Sequence, residues 1–219
     1  MKILIQGNMK NQFDKVTKQP VKDVVDELSP MDPPDGYMPP ASESVPYAEM
    51  HPFLQKLIDE HKNFSKELDN FEEILLSIQE NGIEKETNSK LRNFFQFYDN
   101  NSIPHHQKEE KVLFPLLAKR LIEIGEHSQG PSQSTAVDML EDDHIKSVQL
   151  AATVFNLFAL SGRLPDHNSR LVVLDIALEQ GKSLVELLRL HIFREDSIVF
   201  PIAHKHISTH EFDTMQEKV

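Results

Sequence analysis

Apolar residues recur at intervals of three and four through most of the chain that follows residue 50. This spacing is typical of helices that bury one face. It predicts four long helices, at about Pro52 to Glu80, Ser89 to Ile124, Thr135 to Leu160 and Ser169 to Ala203. A short fifth helix is predicted from His210 to Glu217, capped by Ser208 or Thr209. No strand pattern is present in this part, so we expect an all-α protein, an up-down-up-down four-helix bundle.

Two stretches depart from this helical pattern. The second helix is predicted to be interrupted after Asp99 by Asn-Asn-Ser-Ile-Pro and to continue from Pro104. Residues 1–48 differ more strongly, because a possible short helix at 21–28 is followed by a proline-rich segment at 29–46. We therefore predict an N-terminal extension over residues 1–48 and a helical bundle over residues 49–219.

Charge and composition restrict the partners. The net charge of -12 argues against nucleic acid and against an anionic membrane surface as binding partners. The chain has no cysteine, which excludes thiolate metal sites, disulfides and a cysteine nucleophile. Its first residues, MKILIQGNMK, lack a secretory apolar segment, and no run approaches the ~18 to 20 apolar residues of a membrane span. We expect a cytoplasmic protein that is a monomer or a weak homodimer.

One phrase occurs twice, as HHQKEEKVLFP at 105–115 and as HIFREDSIVFP at 191–201. Both copies read His-x3-Glu-x4-Phe-Pro. Positions i and i+4 of a helix lie about 40° apart, so each histidine and its glutamate share a face. Each long helix also has a histidine on its apolar stripe, and these are His61, His105, His144 and His191; the glutamates are Glu109 and Glu195.

These two glutamates are the strongest indication of a functional site. A single histidine on an apolar face is usually a core residue that has found a hydrogen-bond partner. An unpaired buried carboxylate costs several kcal/mol or is neutralised by a pKa shift. Two such carboxylates that face one core are explained by a metal centre, in which imidazole and carboxylate become ligands. This donor set suits iron best, with manganese or zinc less favoured.

The number of ions and the number of ligands are open. One ion with four histidines and two glutamates is crowded, whereas two six-coordinate irons offer about twelve positions. Two bridging glutamates fill four of these positions and an oxo or hydroxo bridge fills two. Four histidines then leave two positions for dioxygen or nitric oxide, and five leave one. The fifth candidate is His106, about 60° from Glu109; otherwise it lies behind the ligands or at the surface.

The residues that neighbour these candidate ligands are predicted to have structural roles. Glu110 and Asp196 are predicted to point away from the centre, where they are solvated or paired with lysine or arginine. The Phe-Pro pair that ends each phrase is predicted to close the core and bend the helix beyond the site.

The sequence resembles the hemerythrin-like HHE cation-binding family. The resemblance rests on EH at 60–61, HHQKEEKVLFP, EDDH at 141–144 and HIFREDSIVFP, and it covers about residues 50 to 205. It implies a non-heme di-iron centre in a four-helix bundle. The terminal iron ligands would be His61, His105, His144 and His191, and the bridging ligands would be Glu109 and Glu195.

The sequence also departs from particular members of that family. The oxygen carriers have a His-x3-His pair on the third helix, whereas Leu140 and Val148 lie four residues from His144 here. One ligand is therefore missing unless His106 replaces it, which argues against reversible oxygen carriage. The iron–sulfur repair proteins of the family have a cysteine-containing N-terminal domain, and this chain contains no cysteine.

Three functions are compatible with this pattern. The first is a di-iron protein that binds or senses dioxygen, nitric oxide or iron status. The second is a di-iron enzyme that reduces nitric oxide or peroxide or oxidises ferrous iron. The third is a metal-free helical scaffold. An enzyme requires a route for electrons, and the absence of a flavin motif, a heme motif and a cysteine pair favours the first.

Overall fold

The computed structural model describes residues 45–130 and 132–218, and every regular element in these residues is helical. Helix α1 is Pro52–Asn81. Helix α2 comprises Lys85–Phe97, Ile103–Lys108 and Phe114–Glu123, which are joined by π-turns at Tyr98–Ser102 and Glu109–Leu113. Helix α3 is Ala136–Ser161. Helix α4 comprises His167–Arg194 and Phe200–His206, which are joined by a π-turn at Glu195–Val199. Helix α5 is Thr209–Gln216. A short 3-10 turn, Tyr47–Glu49, precedes α1.

The four predicted long helices and the short last helix are confirmed, and the all-α class with them. Ser208 caps α5, since its side chain accepts a hydrogen bond from the backbone N–H of Glu211. The predicted helix at 21–28 and residues 29–44 of the proline-rich segment lie outside the described residues. None of the described helices is long and apolar enough to cross a lipid bilayer.

The predicted interruption of the second helix is wrong. The chain stays helical there because a π-turn takes the place of a break. Proline has no N–H and its ring clashes with the carbonyl four residues earlier, so a wider turn relieves both problems. In each case the residue before the proline donates to the carbonyl five residues back: Ile103 to Tyr98, Phe114 to Glu109 and Phe200 to Glu195.

Two hydrophobic cores are built from the four long helices, and the buried polar residues of the repeated phrase, His105, Glu109, His191 and Glu195, lie between them. The first core includes Ile58, Leu113, Leu140 and Val199. The second core includes Phe64, Tyr98, Ala151 and Leu188. Along α1 and α3 the chain passes from the first core to the second, and along α2 and α4 it passes from the second to the first. Each helix therefore brings its histidine to the layer that separates the cores.

Helix packing closes a ring around this layer. Helix α3 packs against α4, α4 against α1, α1 against α2, and α2 against α3. Ahead of α1, the hydroxyl of Tyr47 donates to Asp59 at 2.9 Å. The side chain of Val45 packs against the first core.

Candidate metal centre

All seven residues predicted as metal ligands are buried in the layer between the two cores. They are His61, His105, His106, Glu109, His144, His191 and Glu195. Their donor atoms form three sets, each close enough to hold one ion. These are His61, His105, Glu109 and Glu195; Glu109, His144, His191 and Glu195; and His106, His144 and His191. The two glutamates belong to both of the four-residue sets.

Two histidine pairs have nearly the same geometry. The Nε2 atoms of His61 and His105 are 2.9 Å apart, and those of His144 and His191 are 3.2 Å apart. The ring centroids are 4.7 Å apart in both pairs, with interplanar angles of 61° and 66°. Two nitrogens bound side by side to one ion at about 2.1 Å stand about 3 Å apart. The spacing of both pairs therefore fits two ligands of one metal.

The two glutamates lie between these pairs, and each faces both of them. Glu109 is 3.3 Å from Nε2 of His105 and 3.5 Å from Nε2 of His144. Glu195 is 3.2 Å from Nε2 of His61 and 3.2 Å from Nε2 of His191. Both side chains are fully buried, and none of their four oxygens has a hydrogen-bond partner. Buried carboxylate oxygens without such partners fit ligands that are shared by two ions.

Carboxylates behind the histidines fix three of the rings. Nδ1 of His61 lies 2.7 Å from Asp196, Nδ1 of His105 lies 2.7 Å from Glu60, and Nδ1 of His144 lies 2.8 Å from Glu110. An ionised carboxylate can only accept, so Nδ1 is the donor in each pair. When these rings are neutral, the lone pair is on Nε2, which faces the shared glutamates.

The prediction that Glu110 and Asp196 point away from the centre is wrong. Each is the residue after a shared glutamate, and each reaches a histidine of a neighbouring helix. The prediction considered one helix at a time, whereas the partner lies across the interface. Glu60 and Asp143 were not predicted to have a role in the site. Each directly precedes a predicted ligand, His61 or His144, and that repeated acid–histidine pair was the signal for them.

The ring of His106 lies beside this centre. It stacks on His144 with centroids 3.8 Å apart and planes 8° apart, and its contacts in the described structure are ring contacts. Imidazole binds metal through a lone pair in the ring plane, so parallel stacked rings cannot both direct this pair at one ion. His106 would bind together with His144 only after its ring turns. Burial, and then the charges of His144 and His191, hold its pKa well below the usual value, so it is neutral.

The histidines of the centre differ in their pKa values. Burial opposes protonation of His61 and His191, but carboxylates outweigh it and raise the pKa of each ring to about 10. The same balance raises the pKa of His105 to about 9. Burial is the larger influence at His144 and lowers its pKa. Without a metal, the negative charge of Glu195 is therefore balanced by the protonated histidines beside it, His61 and His191.

The phenylalanines of the repeated phrase close the centre on the side of the first core. Phe114 stacks on His144 with centroids 5.7 Å apart, and Phe200 stacks on His61 with centroids 5.6 Å apart. Both phenylalanines are fully buried. They exclude water from one side of the centre and limit rotation of these rings, which confirms the predicted closing role.

Replacing Asp196 with asparagine is expected to weaken metal binding by roughly 10- to 100-fold. The amide can present its amino group to Nδ1 of His61 and so favour the tautomer whose lone pair faces away from the centre. A competition titration against a chelator measures this loss. Asp142→Asn is the matched control, because Asp142 is an exposed aspartate outside the site. Equal affinities of the Asp196 and Asp142 variants would contradict the role of this carboxylate.

Comparison with known proteins agrees with this geometry. The family model described as the Hemerythrin HHE cation binding domain matches residues 53–203, which include every residue of the centre. A search among curated proteins finds no match. The match covers more than half of the chain, and the chain belongs to the hemerythrin HHE cation-binding domain family.

Proposed function

We propose that the protein holds a pair of iron ions and binds dioxygen or nitric oxide at that pair. The observation that carries the proposal is the pair of fully buried glutamates, Glu109 and Glu195. Each faces two histidine pairs, and none of their oxygens has a hydrogen-bond partner. Two buried carboxylates without such partners are costly in a structural bundle, and two shared metal ions remove that cost.

In this proposal, one ion is held by His61 and His105 and the other by His144 and His191, and both glutamates are shared. His106 is a third nitrogen ligand for the second ion after its ring turns. Imidazole and carboxylate together suit iron. When bound, a ferrous pair supplies electrons and open coordination positions to a diatomic ligand. The protein orients the imidazoles through the carboxylates behind them and keeps the centre dry with Phe114 and Phe200.

The proposed arrangement is an up-down-up-down four-helix bundle. Two features support it: the chain passes between the two cores in alternating directions, and the helices pack in a closed ring. Such a bundle places one histidine from each helix at the same level. We also propose that the protein is a monomer or a weak homodimer and that it is cytoplasmic.

An apolar groove supports a small uncharged ligand. The groove lies between α2 and α3, has a volume of about 400 Å³, and is lined by Ile103, Ile145 and Val148. His106 and His144 also line it, as do Gln107, Glu110 and Gln149, so it reaches two residues of the centre. Its aliphatic side chains favour an uncharged diatomic molecule over a hydrated ion, because a hydrated ion would lose water contacts against them.

The test is the reaction of the ferrous-loaded protein with nitric oxide and with dioxygen, followed by stopped-flow absorption. A saturable spectral change without continued gas consumption is expected. Val148→Trp fills the groove and is expected to slow the change several-fold, whereas Val172→Trp, at an exposed position of α4, is the matched control. No reaction with either gas would contradict the proposal. Sustained consumption in the presence of a reductant would assign an enzyme instead.

A further inference from the structure

The carboxylates behind the histidines follow an internal repeat. Helices α1 and α3 each carry an acid directly before their histidine, Glu60 and Asp143. Helices α2 and α4 each carry a cation directly before the shared glutamate, Lys108 and Arg194. The repeat therefore relates Glu60, Lys108 and His105 on one side to Asp143, Arg194 and His191 on the other.

On the first side, Glu60 accepts hydrogen bonds from both His105 and Lys108. One oxygen of Glu60 lies 2.7 Å from Nδ1 of His105, and the other accepts from Lys108 at 2.7 Å. Burial opposes ionisation, but the two hydrogen bonds outweigh it and lower the pKa of Glu60 to about 2. The ring of His105 is therefore held by a carboxylate that is itself held by a cation.

On the second side, the side-chain hydrogen bond of the aspartate goes to the cation and not to the histidine. Arg194 donates to Oδ2 of Asp143 at 2.8 Å, whereas Nδ1 of His191 lies 3.8 Å from the same oxygen. That distance is too long for a hydrogen bond. Nδ1 of His191 is buried without a hydrogen-bond partner. Aspartate is one methylene shorter than glutamate, and Arg194 holds it away from the ring.

We propose that Asp143, held by Arg194, leaves His191 unanchored and so weakens the second metal position, the one formed with His144. The inference rests on the proposed pair of metal ions. A missing carboxylate partner behind a metal-binding histidine lowers metal affinity by roughly 10- to 100-fold. Metal at this position is therefore taken up last and released first. The three other histidines have the partner that His191 lacks.

The first test is a zinc titration of the metal-free full-length chain, using a competing chelator. Asp143→Glu adds the missing methylene and is expected to tighten the weaker site by roughly 10- to 100-fold, while Glu60→Asp weakens the stronger site by a similar factor. Arg194→Met is expected to tighten the weaker site by releasing Asp143. Arg189→Met is its matched control, because Arg189 lies on the same helix and donates to Asp69 and Glu72, which are outside the centre. Unchanged affinity of the weaker site in both Asp143→Glu and Arg194→Met would overturn the proposal.

A second readout does not depend on metal binding. A ring Nδ1 proton that is itself buried and is bonded to a carboxylate gives a low-field proton resonance in slow exchange. The metal-free chain is expected to show this resonance for His61, His105 and His144 but not for His191. Asp143→Glu should add the resonance of His191, and Glu60→Asp should remove that of His105. A wild-type resonance from His191 would overturn the proposal.

The two readouts separate this inference from the proposed function. A chain that binds no zinc would contradict the metal pair, whereas the ring-proton resonances would still show whether His191 lacks its partner. A chain that binds two metals and also shows the His191 resonance would leave the metal pair intact and overturn the role of Asp143.

Discussion

Replacing Glu195 with glutamine is expected to empty both metal positions. The carboxylate faces His61 and His191, one from each histidine pair, so its loss would remove a ligand from both ions of the proposed pair. Loss of an outer partner alone costs roughly 10- to 100-fold, and loss of a shared ligand is expected to exceed this range. Elemental analysis after anaerobic loading with ferrous iron measures the effect. Thermal unfolding provides a second measurement, because a ligand that no longer binds no longer stabilises the fold.

The control for this variant is Glu186→Gln, because Glu186 is an exposed glutamate of the same helix. It is expected to keep the metal content of the wild-type protein. A metal-free scaffold makes a different prediction, since ferrous loading would then leave the thermal unfolding of both the wild-type protein and Glu195→Gln unchanged. A wild-type protein whose unfolding temperature does not rise on ferrous loading would therefore support the scaffold and contradict the metal centre.

Metal binding at neutral pH is expected to release protons from the centre. The pKa values of His61, His105 and His191 in the metal-free fold are about 10, 9 and 10, so protons are bound there, and a bound metal displaces them. Nε2 of His61 and Nε2 of His105 are 2.9 Å apart, so these two nitrogens hold one proton between them. Apparent metal affinity should therefore rise steeply from pH 7 to pH 9. Titration calorimetry in two buffers with different ionisation enthalpies counts the protons. A binding enthalpy that is the same in both buffers would contradict these protonation states.

The same shifts make the metal-free fold sensitive to alkali. Each of these histidines has a folded-state pKa above its unfolded value of about 6.5. Their contribution to stability is therefore fully present below pH 6.5 and is lost as the pH rises through 9 to 10. The midpoint of urea unfolding of the metal-free protein should fall over this range. The metal-loaded protein should resist the change, because its histidines are already neutral.

The long helices and the six residues of the histidine and glutamate pairs followed from the sequence because both depend on helical periodicity. A helix that buries one face repeats its apolar residues, and a histidine or glutamate on that stripe must enter the core. The doubled His-x3-Glu phrase then identified which buried groups share a layer. The burial of Glu109 and Glu195 is the clearest instance, since the stripe alone indicates it.

Contacts between helices could not be predicted in the same way. Glu110 and Asp196 reach His144 and His61 across helix interfaces, and periodicity within one helix carries no information on that partner. The continuous helix around Pro104 was missed for a different reason. A π-turn satisfies the proline within a helix, whereas the sequence signal is the same as that of a break.

The most direct test of the metal centre is the metal content and visible spectrum of protein purified without air, recorded before and after exposure to air. We predict one pair of irons per chain, colourless when ferrous, with the absorption of a bridged diferric pair appearing in air. If the protein still contains zinc, or still contains no metal, after reconstitution with ferrous iron, the result would contradict the central claim. In that case the histidines and glutamates between the two cores would be structural.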